Sequence, residues 1–178
     1  MDIENTFILG LKLLHFTEYK DARGSFLKVF NKDQFLENNL ETNFKESYYS
    51  ISHKNVIRGM HFQIPPHEHI KLVYVNKGSI LDVVIDIRKN SETYGKIYQL
   101  KISENNNTLI YIPVGCAHGF LSLEDNTMIT YLQTSCYSNV CDKGIKYNSF
   151  GMEWGIKNPI ISDRDLSFPN FSNTNFNF

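Results

Sequence analysis

The 178-residue chain carries a formal net charge of −1, with 42% of its residues apolar and 21% charged. That length fits one domain over residues 1–178 whose core needs no disulfides, and the near-neutral balance excludes a global field that would draw in nucleic acid or a membrane surface. No apolar run approaches the roughly 20 residues of a membrane span, and Met1-Asp2-Ile3-Glu4 lacks the basic stretch that opens a secretory signal. Cys116, Cys136 and Cys141 form neither an even set nor a Cys-x-x-Cys pair, which predicts reduced thiols in a cytoplasmic protein.

Residues 32–39 read as a helix with Phe35 and Leu36 as its apolar contacts. From about residue 47 the pattern changes to short β-prone runs at 47–52, 70–75, 80–87, 98–102, 109–112, 118–123 and 128–135. Turn chemistry separates them, at Asn76-Lys77-Gly78, Arg88-Lys89-Asn90-Ser91, Glu104-Asn105-Asn106-Asn107 and Glu124-Asp125-Asn126. Strands at this spacing predict an all-β sandwich or barrel. In the run 80–87, Leu81, Val83, Ile85 and Ile87 share one face, with Asp82 and Asp86 on the other. In 128–135, Ile129, Tyr131 and Gln133 lie opposite Met128, Thr130 and Leu132, so both faces carry apolar groups, as where a barrel encloses a ligand cavity. Residues 172–178 alternate Asn and Phe; they are expected to fray, or to set their phenylalanines on a partner subunit.

Chemistry-bearing groups concentrate in three segments. The first is Arg58-Gly59-Met60-His61-Phe62-Gln63 with Pro65-Pro66 and Lys71; the second is Ile112-Pro113-Val114-Gly115-Cys116-Ala117-His118-Gly119-Phe120; the third pairs Tyr131 with Tyr137. Singly, each has an ordinary reading. Lys71 is then a solvent-facing strand lysine, Asp165 a turn residue, and Tyr131 a core tyrosine with its hydroxyl satisfied. Together they put cations, imidazoles and a phenol on strands expected to line one cavity.

In these segments the chain resembles the dTDP-4-dehydrorhamnose 3,5-epimerase family, and the similarity runs over about residues 11–169. It covers Asp21-Ala22-Arg23-Gly24-Ser25-Phe26, Val56-Ile57-Arg58-Gly59-Met60-His61-Phe62-Gln63 and Lys71-Leu72-Val73. It continues through Gly78 to Arg88 and Ile112 to Phe120, then Lys143-Gly144-Ile145 and Ser162-Asp163-Arg164-Asp165. The resemblance implies a cupin-type double-stranded β-helix (jelly roll) with short peripheral helices. It also implies a homodimer, no metal or other cofactor, and epimerisation at carbon 3 and/or carbon 5 of a nucleotide-diphospho-4-keto-6-deoxy sugar. A C–H beside a ketone is acidified because its carbanion is delocalised as an enolate; inversion then needs a base on one face, an acid on the other and positive charge at the oxygen. By resemblance, His61 is the base, oriented and made more basic by Asp165, Tyr131 is the acid, and Lys71 stabilises the enolate oxygen.

A diphosphate calls for Arg forks and for Lys or His charges. The resemblance assigns Arg23, Arg58, His118 and Arg164 to the nucleotide sugar, Tyr137 to stacking on its base, and Phe26, Gln63 and Asp142 to further ligand contacts. The chain departs from the family at three positions placed near the base: Lys28 stands where glutamate is usual, and Glu46 and Tyr48 where glutamine and asparagine are. Guanine offers an O6 acceptor to Lys28 and N–H donors to Glu46, so the expected substrate is a GDP-linked 4-keto-6-deoxy hexose or heptose, a surface-polysaccharide precursor. A dTDP sugar is the alternative, and a solvated Lys28–Glu46 ion pair is the ordinary reading of those side chains.

Two other classes fit part of the pattern. His67-Glu68-His69 with His118 imitates a metal-dependent cupin, although no glutamate follows about four residues on. A non-catalytic sugar-nucleotide-binding jelly roll is the second, and it is expected to lack His61 or Tyr131, both of which are present.

Overall fold

In the computed structural model, which describes all residues except Asn175 and Asn177, two β-sheets face one another. The amino-terminal segment supplies β1 (Asp2–Asn5), β2 (Lys12–His15), the hairpin of β3 (Glu18–Asp21) and β4 (Gly24–Leu27), and helix α1 (Lys32–Glu37). Then come β5 (Glu46–Ser52), β6 (Ile57–Gln63), β7 (Lys71–Lys77) and β8 (Ser79–Asp86). They are followed by β9 (Ile97–Ser103), β10 (Thr108–Ile112), β11 (Cys116–Ser122), β12 (Thr127–Gln133), β13 (Asp142–Gly144) and the one-turn helix α2 (Asp163–Leu166).

One sheet has the order β1-β2-β10-β7-β12-β5 and the other β13-β6-β11-β8-β9. From β5 to β13 every link except the β8–β9 hairpin carries the chain from one sheet to the other. The corners are turned partly by asparagines, with φ of 68° at Asn55, 49° at Asn107 and 56° at Asn126, a left-handed conformation that Asn tolerates better than most residues. This wrapping is the cupin-type jelly roll, and it was expected.

All seven β-prone runs coincide with strands to within about two residues at either end. β6 escaped the pattern because Gly59 interrupts its apolar sequence and the β6–β11 register shifts between His118 and Phe120, which breaks the two-residue period. The helix is shorter than expected: Asn31 caps it by accepting from Gln34 N at 3.1 Å, and Asn39 at φ 55° turns the chain out beyond its end.

The gap between the sheets is filled by Leu13, Val73, Ile110 and Ile129 from one side and Ile80, Val84, Ile102 and Phe120 from the other. Asp82 and Asp86 share strand parity with Ile80 and Val84, so both aspartates are buried, at 1% and 0% exposure. The all-apolar face of β8 packs outward instead, where Val83, Ile85 and Ile87 are covered by Met152 and Trp154. Phe35 of α1 and Leu40 cover the outer face of the other sheet at Leu14, Leu72 and Leu109.

The carboxy-terminal phenylalanines join this covering layer. The Phe176 and Phe178 rings lie 4.5 and 6.0 Å from that of Phe62, so these two side chains pack on their own chain. Asn175 and Asn177 of that tail lie outside the described residues. All three cysteines are free. No helix among the described residues is long and apolar enough to cross a membrane.

Candidate active site

A cavity of about 330 Å³ opens at the end of the inter-sheet space where the apolar filling stops. His61 on β6 and His118 on β11 are register partners on one wall. Lys71 on β7 and Tyr131 on β12 come from the opposite sheet, with Tyr48 of β5 paired across from Tyr131.

The His61 imidazole is held by its Nε2, which is 2.8 Å from Asp165 Oδ1. A carboxylate only accepts, so the neutral ring carries its proton on Nε2 and leaves the Nδ1 lone pair free to act. Asp165 comes from α2, whose first turn is fixed by Ser162 Oγ accepting from Asp165 N at 3.2 Å. Its other oxygen accepts from Gly59 N at 2.9 Å. Gly59 has φ 125°, and a Cβ there would fall 2.6 Å from Gly119 Cα, so glycine alone permits this close strand crossing. Burial pushes the imidazole below its ordinary pKa, against the pull of Asp165 and together with repulsion from Lys71 and Arg164. Burial tends to raise the Asp165 carboxyl, but the His61 hydrogen bond and charge, Gly59 N–H and Arg164 prevail and hold it low.

Across the cavity the Lys71 ammonium donates to His61 O at 3.3 Å. Burial lowers it to about 8, against the attraction of Asp142 and Asp82. Burial raises the Tyr131 phenol well above its usual range, which keeps it protonated. Its ring stacks on Tyr48 with centroids 4.8 Å apart and planes 17° apart. Tyr48 in turn accepts a hydrogen bond from Gln133, and burial pushes its own phenol up to about 12.

His118 is buried, and its Nε2 lies 2.7 Å from Asp82 Oδ2. The second oxygen of Asp82 has no partner among the described residues. The buried Asp82 behind the cavity-lining His118 was therefore missed. Asp82 had been placed only on the face opposite the apolar one, and nothing in the alternation reveals that this face is the interior.

Several expected ligand contacts prove to be engaged by the chain itself. Gln63 donates to His67 O at 2.9 Å and Cys136 O at 3.2 Å, and accepts from Ser138 N at 2.6 Å. Glu46 Oε2 accepts from Tyr137 N at 2.6 Å. These two side chains thus clamp the backbone on either side of Tyr137, whose ring stands 58% exposed at the cavity mouth. Arg164 donates to Asp142 Oδ2 at 2.5 Å, and Arg58 donates to Ser52 Oγ at 3.0 Å and Ile51 O at 3.2 Å. Glu46, Tyr137, Arg164, Asp142 and Arg58 all line the cavity.

Arg23, Phe26 and Lys28 do not reach it. Arg23 sits at the tip of the β3–β4 hairpin, 90% exposed and paired with Asp21, and Phe26 is 59% exposed on the same hairpin. Lys28 follows that hairpin and does not line the cavity, whereas Glu46 does, so the expected guanine contact from both side chains is not assembled within one chain, and the ordinary Lys28–Glu46 ion pair does not form either. The metal-cupin alternative lacks its ligand set: His67 faces Ser135, His69 faces Gln63 and the His67 carbonyl, and His118 faces Asp82. Among the described residues no group of three or more His, Cys, Asp or Glu side chains is gathered to hold a metal ion. His69, considered in the sequence only as a metal ligand, lines the cavity wall, and Phe168 against His61 went unnoticed.

An imidazole backed by a carboxylate on one sheet, facing a buried phenol and an ammonium on the other, defines a cupin-fold protein equipped for acid–base chemistry. The family described as dTDP-4-dehydrorhamnose 3,5-epimerase matches residues 5–173. A relative of that description from Methanothermobacter thermautotrophicus is 40% identical over 155 residues, covering 84% of this chain and 83% of its own. The dTDP-4-dehydrorhamnose 3,5-epimerase structure from Sulfolobus tokodaii is similar with a TM-score of 0.93 and 38% identity, over 99% of this chain and 98% of that one. The dTDP-6-deoxy-D-glucose-3,5-epimerase of Legionella pneumophila Philadelphia 1, solved with dTDP-4-keto-L-rhamnose, gives 0.92 and 30% identity over 98% and 94% of the two chains. The chain belongs to the dTDP-4-dehydrorhamnose 3,5-epimerase family of isomerases acting on carbohydrate derivatives.

Proposed function

We propose that the protein inverts carbon 3, carbon 5 or both in a dTDP-linked 4-keto-6-deoxy sugar, supplying surface-polysaccharide synthesis in the cytoplasm. The observation that carries this is the placement of His61 and Tyr131 on opposite sheets, which packed sheets hold about 10 Å apart, leaving room for a sugar ring between them. His61 Nδ1 takes the proton beside the ketone, and the C–H electron pair passes into the enolate. Lys71 stabilises the enolate oxygen. The resulting imidazolium is held by Asp165, and Tyr131 O–H protonates the carbon from the other face. Solvent then reprotonates the phenolate and takes the proton from His61.

The GDP expectation has little left to support it. Lys28 does not line the cavity of its own chain, and one Glu46 oxygen is committed to Tyr137 N–H. The Legionella relative carries a dTDP sugar. Calorimetric titration with dTDP and with GDP, followed by incubation of the 4-keto-6-deoxy sugar nucleotide in deuterated water, tests the reading. Tighter binding of dTDP and deuterium at carbon 3, carbon 5 or both is expected; preference for GDP sinks the nucleotide assignment, and absence of exchange sinks the epimerase one.

A homodimer reconciles the exposed hairpin with the roles expected of Arg23 and Phe26. Exposed Tyr19 and Phe26 on the hairpin, and exposed Tyr49 and Ile51 on edge strand β5, are the apolar surfaces such a dimer would cover. The hairpin of one copy would then serve the cavity of the other. Sedimentation equilibrium reads the dimer directly.

A further inference from the structure

Gly144 is the register partner of His61, on the strand that flanks β6. A Cβ built there would fall 2.3–2.5 Å from three carbons of the Phe168 ring. The Gly144 backbone is not in the left-handed region, so what requires glycine here is space, and the space is occupied by Phe168. The same ring meets the His61 imidazole edge-on, with centroids 5.7 Å apart and planes at 81°. The Arg164 guanidinium lies 5.3 Å from its centroid. The segment is fixed on both sides: Phe168 N bonds to Asp165 O at 3.4 Å, and Pro169 O accepts from Lys146 N at 2.9 Å.

We propose that Phe168, seated in the space left by Gly144, is a positioning residue that holds α2 and the His61–Asp165 pair in register and shields that pair from water. The proposal rests on the reading of His61 as the base. Phe168 touches no reacting atom; it acts through the ring it abuts and through the helix that carries Asp165 and Arg164. A filler elsewhere in the core would support stability alone, whereas this ring forms part of the apolar enclosure of the base.

The groups facing His61 are Asp165 and Arg164 from α2, Lys71 from β7 and His118, with Asp82, from the neighbouring strands. Because burial is the largest influence lowering the imidazole, opening the Phe168 wall to water should raise it. A higher imidazole pKa keeps the base protonated to higher pH, so the acid limb of kcat/KM moves upward. Expected for Phe168→Ala is a fall of about 10- to 100-fold in kcat, the scale of a small misplacement of catalytic groups, with that upward shift. Phe168→Leu should recover most of it. Gly144→Ala should reproduce the loss by displacing the ring, yet cost little in the Phe168→Ala background, where its methyl enters vacated space.

The acid limb is followed by solvent exchange, and the His61 imidazole is titrated directly by NMR in each variant. An unmoved imidazole pKa in Phe168→Ala, or costs of Gly144→Ala and Phe168→Ala that simply add, overturns the proposal. Should Phe168→Ala not fold, Gly144→Ala combined with Phe168→Leu carries the same comparison. His61→Asn separates the two readings: exchange surviving there refutes the base assignment, whereas the NMR titration reads the seating of the imidazole whatever its chemical role.

Discussion

Asp165→Asn is the sharpest perturbation of the proposed base. Asp165 accepts from two donors at once, His61 Nε2–H at 2.8 Å and Gly59 N–H at 2.9 Å, and an amide has only one oxygen to offer. If that oxygen turns to His61, the loss is mainly the attraction between carboxylate and the imidazolium formed on proton abstraction. For charges about 4 Å apart at an effective dielectric near 20 this is about 4 kcal/mol. His61 is 29% exposed and Asp165 5%, so partial screening reduces it. About 3 kcal/mol remains, or about 10²-fold in kcat. If the oxygen stays on Gly59, the amide N–H₂ faces Nε2, the ring proton is driven to Nδ1, and the lone pair disappears; that wrong tautomer costs about 10⁴-fold in a comparable His–Asp system. The expected fall therefore lies between these limits, measured as deuterium entry at the sugar carbons by proton NMR. Without the carboxylate the imidazole pKa drops further, so the acid limb should move to lower pH. The depressed Asp165 carboxyl also adds stability above about pH 4 that is lost on acidification, so the melting-temperature gap between wild type and variant should close in acid. A folded Asp165→Asn protein within threefold of wild type, or an acid limb moving upward, would refute the role given to this pair.

Three further outcomes follow from the same geometry. Tyr131→Phe should let His61 exchange the carbon-bound proton while blocking delivery from the opposite face, so deuterium enters the starting sugar with little inverted product; normal inversion removes Tyr131 as the acid. Lys71 loses its charge near pH 8, so wild-type activity should decline above that value. Lys71→Arg, charged at all accessible pH, should shift or abolish this alkaline limb even if its plateau is lower, and an unchanged limb reassigns it. Tyr137→Ala should weaken dTDP binding by about 1–3 kcal/mol, the usual worth of stacking a base on an aromatic ring; unchanged calorimetry means the base lies elsewhere.

Much of the fold was legible because the seven expected strands carry their own two-residue alternation and asparagine- or glycine-bearing corners. β6 was not, since Gly59 and the register shift remove the period although the strand carries His61. α2 was also hidden: four residues give no helical periodicity, and its signal is the cap from Ser162 to Asp165 N. Alternation grouped the faces of β8 correctly without saying which was inside. Both are buried, and the face carrying Asp82 lines the interior because the apolar face is claimed by Met152 and Trp154 from a distant stretch of chain.

The site was legible in a different way, and the difference explains where it misled. A motif match names residues that serve a site, but it does not distinguish a side chain that touches the ligand from one that holds another in place. Gln63 and Glu46 line the cavity, yet their strongest visible commitments are to the backbone around Tyr137. Nor does a match in linear order say which copy of the chain a residue serves. Arg23 and Phe26 retain their motif but stand on an exposed hairpin, so their ligand roles require a second copy rather than a different fold. The same limit undercut the guanine assignment: Lys28 and Glu46 were paired by adjacency to a base in the resemblance, whereas here one does not line its own chain's cavity and the other has an oxygen engaged by Tyr137 N–H. Specificity for the base must then be sought in what surrounds the Tyr137 ring, and the proton chemistry in the two facing walls, because in this structure the two are built from separate sets of hydrogen bonds.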